Sequence, residues 1–356
     1  LVNLHKESTS FLFVSSLNEA LFQAEENWKK IVIPFHLDNR LLRPFREQFV
    51  IPYYARKYKI DILFSSGNVT TLFPGCHQVL TVQGSLVIRK LRQQYAPREI
   101  PKLQALYYDL MLPLSVKRAD RVIAVSQDIK QWLLQQVDIP ASKVTVIYEG
   151  VDRDLFHPET RTEISNTNQP FILFVSTLFR YKNADKLIQA FSVLKRTHKI
   201  PHNLVIVGRD PDDQMDRLKK LAKDSGSMNS VHFMGKIPYE EVNNLHRNAD
   251  VFVHPSTLES FGLPVLEAMA CGAPVIGSNR CSVPEIIGDA GLIVDPDDIE
   301  ELAKAIYRVL TDQELRERLI QKGYERVKMF TWEKAAEEML KVFKEIYQER
   351  RHDQRQ

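Results

Sequence analysis

From Phe171 to Pro296 the chain repeats one pattern, a short run of β-branched and aromatic residues followed by an amphipathic stretch. The runs are FILFVSTL, NLVIVG, VHFMG, ADVFVHPS, PVIGS and GLIVDP. ADKLIQAFSVLKR, DQMDRLKKLAKD and YEEVNNLHRN lie between the first four, with Leu187, Ile188, Phe191 and Leu194 at helical spacing. Runs this short and apolar suit strands buried on both faces, and helical crossovers make such strands parallel. The pattern predicts a doubly wound α/β domain with its sites beyond the carboxyl ends of the strands. The first half alternates in the same sense through FLFVSS, IVIPFH, DILFSS, VLTVQG, RVIAVS and KVTVIYEG. It predicts a second α/β domain, in which Ser126 caps the helix DIKQWLLQQ.

A chain of 356 residues suits two domains. Residues 1–155 are assigned to the first, 171–330 to the second, and 331–356 to a closing helix. Between them 156–170 is polar, carries Pro158 and Pro170 and reads as a linker. A net charge of +3 argues against nucleic acid as the main partner. Cys76, Cys271 and Cys281 have no metal-site or disulfide-framework spacing, so a reduced, cytoplasmic setting is expected. No membrane span is expected, since no apolar run reaches about 18 residues, and no signal peptide, since no charged-then-apolar leader precedes the first strand. Asp152-Arg153-Asp154, Asp210-Pro211-Asp212 and Asp295-Pro296-Asp297 all fall in turn-rich segments, where Asp bonds its own backbone. No metal site is expected.

The stretch Pro255–Pro274, PSTLESFGLPVLEAMACGAP, carries the chemistry. Pro264 suits the start of a helix and Gly272 its left-handed end. The free N–H groups of Phe261, Gly262 and Leu263 then converge where a helix N-terminus favours an anion. Glu267 follows about one turn further in, within reach of a ribose whose pyrophosphate sits at the helix mouth. Glu259, on the loop before, faces the group beyond that pyrophosphate. The stretch reads as a nucleotide-diphosphate-sugar cradle.

HPSTLESFGLPVLEAMACGAPVI resembles the signature of retaining glycosyltransferase family four, in which seven residues separate two glutamates. The resemblance runs from about Arg43 to the C-terminus and is strongest from Phe171 to Pro296. It implies a GT-B fold, two Rossmann-like domains facing each other across a cleft. The implied reaction moves a sugar such as mannose or glucose from a UDP or GDP sugar to a glycan or lipid-linked acceptor. It needs no metal and no cofactor beyond that co-substrate. In STLFRYKNADK the family's cations correspond to Lys182 and, displaced by one position, Arg180, which balance the departing diphosphate. Each taken alone is an ordinary loop cation. The resemblance also implies that Glu259 holds the sugar, Glu267 holds the ribose and Ile237, after Gly235, covers the base. Gly208 ends another strand where a ligand can approach. Glu285, in the first turn of a short helix, reads as structural, and His254 as a strand cap. The family's displacement on one face of the sugar lets the leaving phosphate take the acceptor's proton.

Two departures lie in the first domain. No glycine precedes Gly67, so the family's opening strand and glycine-rich turn are expected to be missing. On the acceptor side Gln83 stands, next to Gly84, where the family commonly has a histidine, and Gln cannot take a proton near neutrality. They motivate an alternative, a truncated or degenerate relative that binds nucleotide or a partner without transfer. The basic segment 86–102, with Arg89, Lys90 and Arg92, reads either as a solvated face or as peripheral contact with the inner face of a membrane.

Overall fold

The computed structural model describes residues 9–15, 28–33, 42–96, 100–159, 169–211 and 213–353. Its strands fall into three sheets, and every pairing among them is parallel. β1 (Ser10–Ser15) and β2 (Trp28–Ile33) form a two-stranded sheet. β3 (Ile62–Ser65), β4 (His77–Val82), β5 (Arg121–Ala124) and β6 (Val144–Val146) form a second, in that order. Among the described residues no strand hydrogen-bonds the one to the other. Of residues 1–10 only Thr9 and Ser10 are described, and Ser10 begins β1.

The third sheet comprises β7 (Phe171–Val175), β8 (Asn203–Val207), β9 (Val231–Gly235), β10 (Val251–His254), β11 (Val275–Ser278) and β12 (Gly291–Val294). Its spatial order is β12-β11-β10-β7-β8-β9. β8, β10 and β11 are buried at every residue, which is why their sequences are apolar runs, with a polar residue only at an end, instead of alternating. From β7 the chain winds outward to β9, then returns beside β7 as β10 and winds the other way. The reversal leaves a crevice between the carboxyl ends of β7 and β10, where loops diverge to opposite faces of the sheet.

The polar stretch 156–170 is not a free tether at its start. Phe156 is buried and meets Tyr239 and His246 edge-on, and the Leu155 carbonyl accepts a bond from Asn243. Residues 160–168 lie outside the described residues. The helix Trp332–Asp353 runs back to the first half, where Ala335, Val342 and Ile346 pack on Val79, Ile123 and Ile147. Arg121 and Glu349 form an ion pair across the same contact.

Gly208 is set by tertiary contact. Its φ is +154°, and a Cβ there would lie 1.7 Å from the Ser176 carbonyl oxygen. Gly208→Ala is expected to cost at least about 3 kcal/mol, combining backbone strain with overpacking. Gly226→Ala, at φ +73° with nothing within 4 Å, carries the conformational cost alone. Urea midpoints compare the two, and equal losses would refute the steric account.

Candidate active site

The loops after β7 and β10 are laced together. Thr257 N–H donates to the Tyr181 carbonyl at 2.8 Å. Asn183 Nδ2 donates to the Pro255 carbonyl at 2.7 Å and to Thr257 Oγ1 at 2.6 Å. Asn183 is left-handed, φ +58°, a conformation Asn tolerates better than most residues, and it ends the 3₁₀ turn Arg180–Lys182. This lacing brings Lys182 to Glu259 across 77 residues of sequence, with Lys182 Nζ 2.5 Å from Glu259 Oε1.

The same Oε1 also lies 2.7 Å from His254 Nε2. Glu259 Oε2 makes no hydrogen bond among the described residues. Burial opposes ionisation of Glu259, but Lys182 and His254 outweigh it and hold the carboxyl down at about 2. The glutamate is therefore an anion with one oxygen committed to its neighbours and the other available to a hydroxyl. His254, read from the sequence as a strand cap, instead supports Glu259. An aromatic residue adds to the cluster, since Lys182 Nζ lies 5.2 Å from the Tyr181 ring centre. Arg180 is exposed beside this cluster and makes no side-chain bond among the described residues.

The cradle helix is Leu263–Ala270, so Pro264 is its second residue, not its first. Gly262 precedes it at φ +113°, which directs the chain sharply into the helix, and Gly272 closes it at φ +81°. The N–H groups of Phe261, Gly262 and Leu263 have no acceptor among the described residues. Phe261 itself is buried against Tyr148 and Phe330, and its carbonyl accepts a bond from Ser282 at 2.9 Å. Its backbone faces the site while its ring anchors the loop.

Glu267 is buried on this helix and accepts a hydrogen bond from the Tyr239 hydroxyl. Burial pushes its carboxyl up to about 7, and the tyrosine bond pulls it back only in part. Ile237 is half-buried against the central core just before Tyr239, and Gly208 donates its N–H to the Gly235 carbonyl at 2.8 Å. These residues rim the crevice on its β8–β9 side.

Gln83 and Gly84 follow β4 in the first half, and among the described residues no hydrogen bond joins them to the cradle. Both backbone N–H groups donate to Asn68 Oδ1 at 2.8 Å, so Asn68 organises this loop. In the basic segment Arg89 and Lys90 are exposed, whereas Arg92 is not. Arg92 is buried, bonded to Asp109 and, at 2.8 Å, to the Leu86 carbonyl.

Glu285 does more than stabilise its own short helix. Its carboxylate accepts from the N–H groups of Gln127 at 2.9 Å and Asp128 at 3.3 Å, and from the Tyr148 hydroxyl at 2.7 Å. It thereby caps a helix of the first domain from the second. Ser126 caps that helix as expected and also donates to the Ser260 carbonyl at 2.7 Å, joining the first domain to the cradle loop. The Asp-x-Asp acids are largely spent on local structure. Asp152 binds the N–H groups of Asp154 and Leu155, Asp210 those of Gln214 and Met215, and Asp295 pairs with Arg280. Asp212 lies outside the described residues.

Comparison with known proteins places this arrangement. Residues 10–155 match Glycosyltransferase Family 4 and residues 158–326 match Glycosyl transferases group 1. O-antigen chain mannosyltransferase B of Escherichia coli is 30% identical over 70% of this chain, which spans 66% of that relative's length. The uncharacterized glycosyltransferase MJ1607 of Methanocaldococcus jannaschii is 32% identical over 69% of this chain and 67% of its own. The structure of sucrose-phosphate synthase from Thermosynechococcus elongatus superposes with a TM-score of 0.74 at 25% identity, covering 92% of this chain and 85% of that one. Sequence matches across both halves, and a cradle at the switch point of the second, agree: this chain belongs to glycosyltransferase family four, the glycosyl transferases group 1, and has the GT-B fold.

Proposed function

We propose that the chain is a retaining, metal-independent glycosyltransferase that moves a hexose from a nucleotide-diphosphate sugar to a glycan or lipid-linked acceptor. The observation that carries this is the pairing of Lys182 with Glu259 beside the open N–H groups of the cradle helix. A cation, a helix mouth and a buried anion meet at one end of the sheet, the combination a departing diphosphate and a sugar hydroxyl require. In the bound complex Lys182 turns from Glu259 to the diphosphate, as a point charge suited to phosphate. His254 stays on Glu259 and keeps it oriented toward the sugar. Glu267 exchanges the Tyr239 hydroxyl for those of the ribose.

The Thr-Leu-x-x-x-Lys-Asn loop at 177–183 and the name of the Escherichia coli relative support mannose from a guanosine diphosphate donor. Calorimetric titration with UDP and with GDP, without divalent metal, tests the reading. Binding of GDP alone is the expected result, and binding of neither overturns it. The separation of β1–β2 from β3–β6 favours the alternative of binding without transfer, which tight GDP binding with no turnover of a GDP sugar would select.

The raised carboxyl of Glu267 adds a pH signature. Ribose hydroxyls donate to the carboxylate, so binding must expel the proton that burial retains. Nucleotide affinity is expected to fall by up to about tenfold per pH unit below pH about 7, and to be flat there in Glu267→Gln. Unliganded stability runs the other way. The folded carboxyl keeps its proton above the ordinary value of 4.5, so its contribution is lost as pH rises from 4.5 to about 7. A pH-independent wild-type affinity would contradict the assignment of Glu267.

A further inference from the structure

The helix Lys102–Arg118, in the first domain, is apolar on two opposite faces. One face is core, with Tyr108, Met111, Leu112 and Val116 buried. The other is a stripe of leucines at three- and four-residue spacing, Leu103, Leu106, Leu110 and Leu114. The first three are 76%, 65% and 61% exposed. A surface helix ordinarily turns charged residues outward, and one apolar all round calls for a cover on both faces. The neighbouring helical segment 43–57 repeats the anomaly. Phe45 and Phe49 lie tilted against each other with ring centres 5.2 Å apart, are 50% and 65% exposed, and sit on an element tied to the leucine helix by the Tyr107–Glu47 hydrogen bond.

The charge around these residues has one sign. Lys102 stands at one end of the leucine stripe, with Lys117 and Arg118 at the other, all exposed. Asp109, the only acid in the helix, is neutralised by Arg92 and by Arg89, the latter at 3.8 Å. On segment 43–57 Glu47 is buried on Tyr107, while Arg56 and Lys57 are exposed. Outward leucines and aromatics bordered by cations match the boundary of an anionic bilayer, where apolar side chains enter the acyl region and cations meet headgroups. A second copy of this chain fits poorly, because a two-fold pairing of the stripe would set Lys102 against Lys117 and Arg118. Among the described residues no helix is long and apolar enough to span a membrane.

We propose that the outward faces of Lys102–Arg118 and segment 43–57 form a docking surface for a membrane rich in anionic lipid. The surface is distinct from the nucleotide cradle and stands whether or not the donor reading does.

The test is co-sedimentation of the full chain with vesicles of phosphatidylcholine, with and without phosphatidylglycerol, and GDP calorimetry on the same samples. Wild type is expected to sediment with the anionic vesicles and remain in solution with the neutral ones. Leu106→Gln/Leu110→Gln should lower the vesicle partition coefficient by about tenfold or more while leaving GDP affinity unchanged. Lys102→Glu/Lys117→Glu keeps the leucines and should lower anionic-vesicle binding to a similar degree, which guards against misfolding of the leucine variant. Failure of wild type to bind anionic vesicles, or equal binding by both variants, overturns the proposal. So does a dimer in sedimentation velocity that the leucine variant dissolves while vesicle binding is absent.

Discussion

Lys182→Ala is expected to lower kcat/KM for glycosyl transfer by about 100- to 1,000-fold, the usual cost of removing one preorganised group from developing negative charge. Most of the loss should fall on kcat, because the charge on the departing diphosphate grows toward the transition state. The substitution also leaves Glu259 with His254 as its one side-chain partner among the described residues, in a site where both side chains are nearly buried. Breaking a buried pair by deleting one partner is costly in itself. Lys182→Ala/Glu259→Ala separates the two effects. The double variant should recover thermal stability relative to the single one, yet transfer no faster. A single variant within tenfold of wild type would mean that the pair is structural and that the leaving group is balanced elsewhere.

Glu267→Ala is expected to weaken nucleotide binding by about 1.5–3 kcal/mol, or roughly 10- to 150-fold, since a charge-assisted hydrogen bond is lost. Calorimetry above pH about 8 is the right condition, because there the wild-type carboxylate is already ionised and the full difference is visible. The fold should tolerate the change well. Glu267 pays the cost of burial with a single tyrosine bond, so removing it relieves a desolvated carboxyl. Lower affinity with equal or higher melting temperature is the combined signature. Unchanged affinity would remove Glu267 from the site.

The cradle was legible because its constraints are local. Gly262 and Gly272 hold positive φ, proline opens the helix and the two glutamates keep fixed offsets from it, all properties of one contiguous stretch. The doubly wound domain was legible for a related reason, since strands buried on both faces leave apolar runs that no surface element shares. The anchor at Phe156 was not legible, because polarity over a window hides one aromatic whose burial depends on Tyr239 and His246 far along the chain. In the basic segment 86–102 Arg89 and Lys90 are exposed as a solvated face requires, but the burial of Arg92 was not legible. Arg92 is an interior residue only because Asp109, on another helix, faces it.

By itself, then, the sequence determined the class of fold and the local geometry of the helix at 263–270, because short-range geometry and burial period write those directly into neighbouring residues. Only the tertiary structure decided the partners. Lys182 and His254 converge on one oxygen of Glu259, Tyr239 covers Glu267, and Glu285 reaches across to the helix at Gln127. Except for His254 and Glu259, these contacts join residues 28 to 158 positions apart, on separate elements that only tertiary packing brings together. Even that near pair depended on which way a strand-end histidine points, which the packing around β10 sets and no spacing rule encodes.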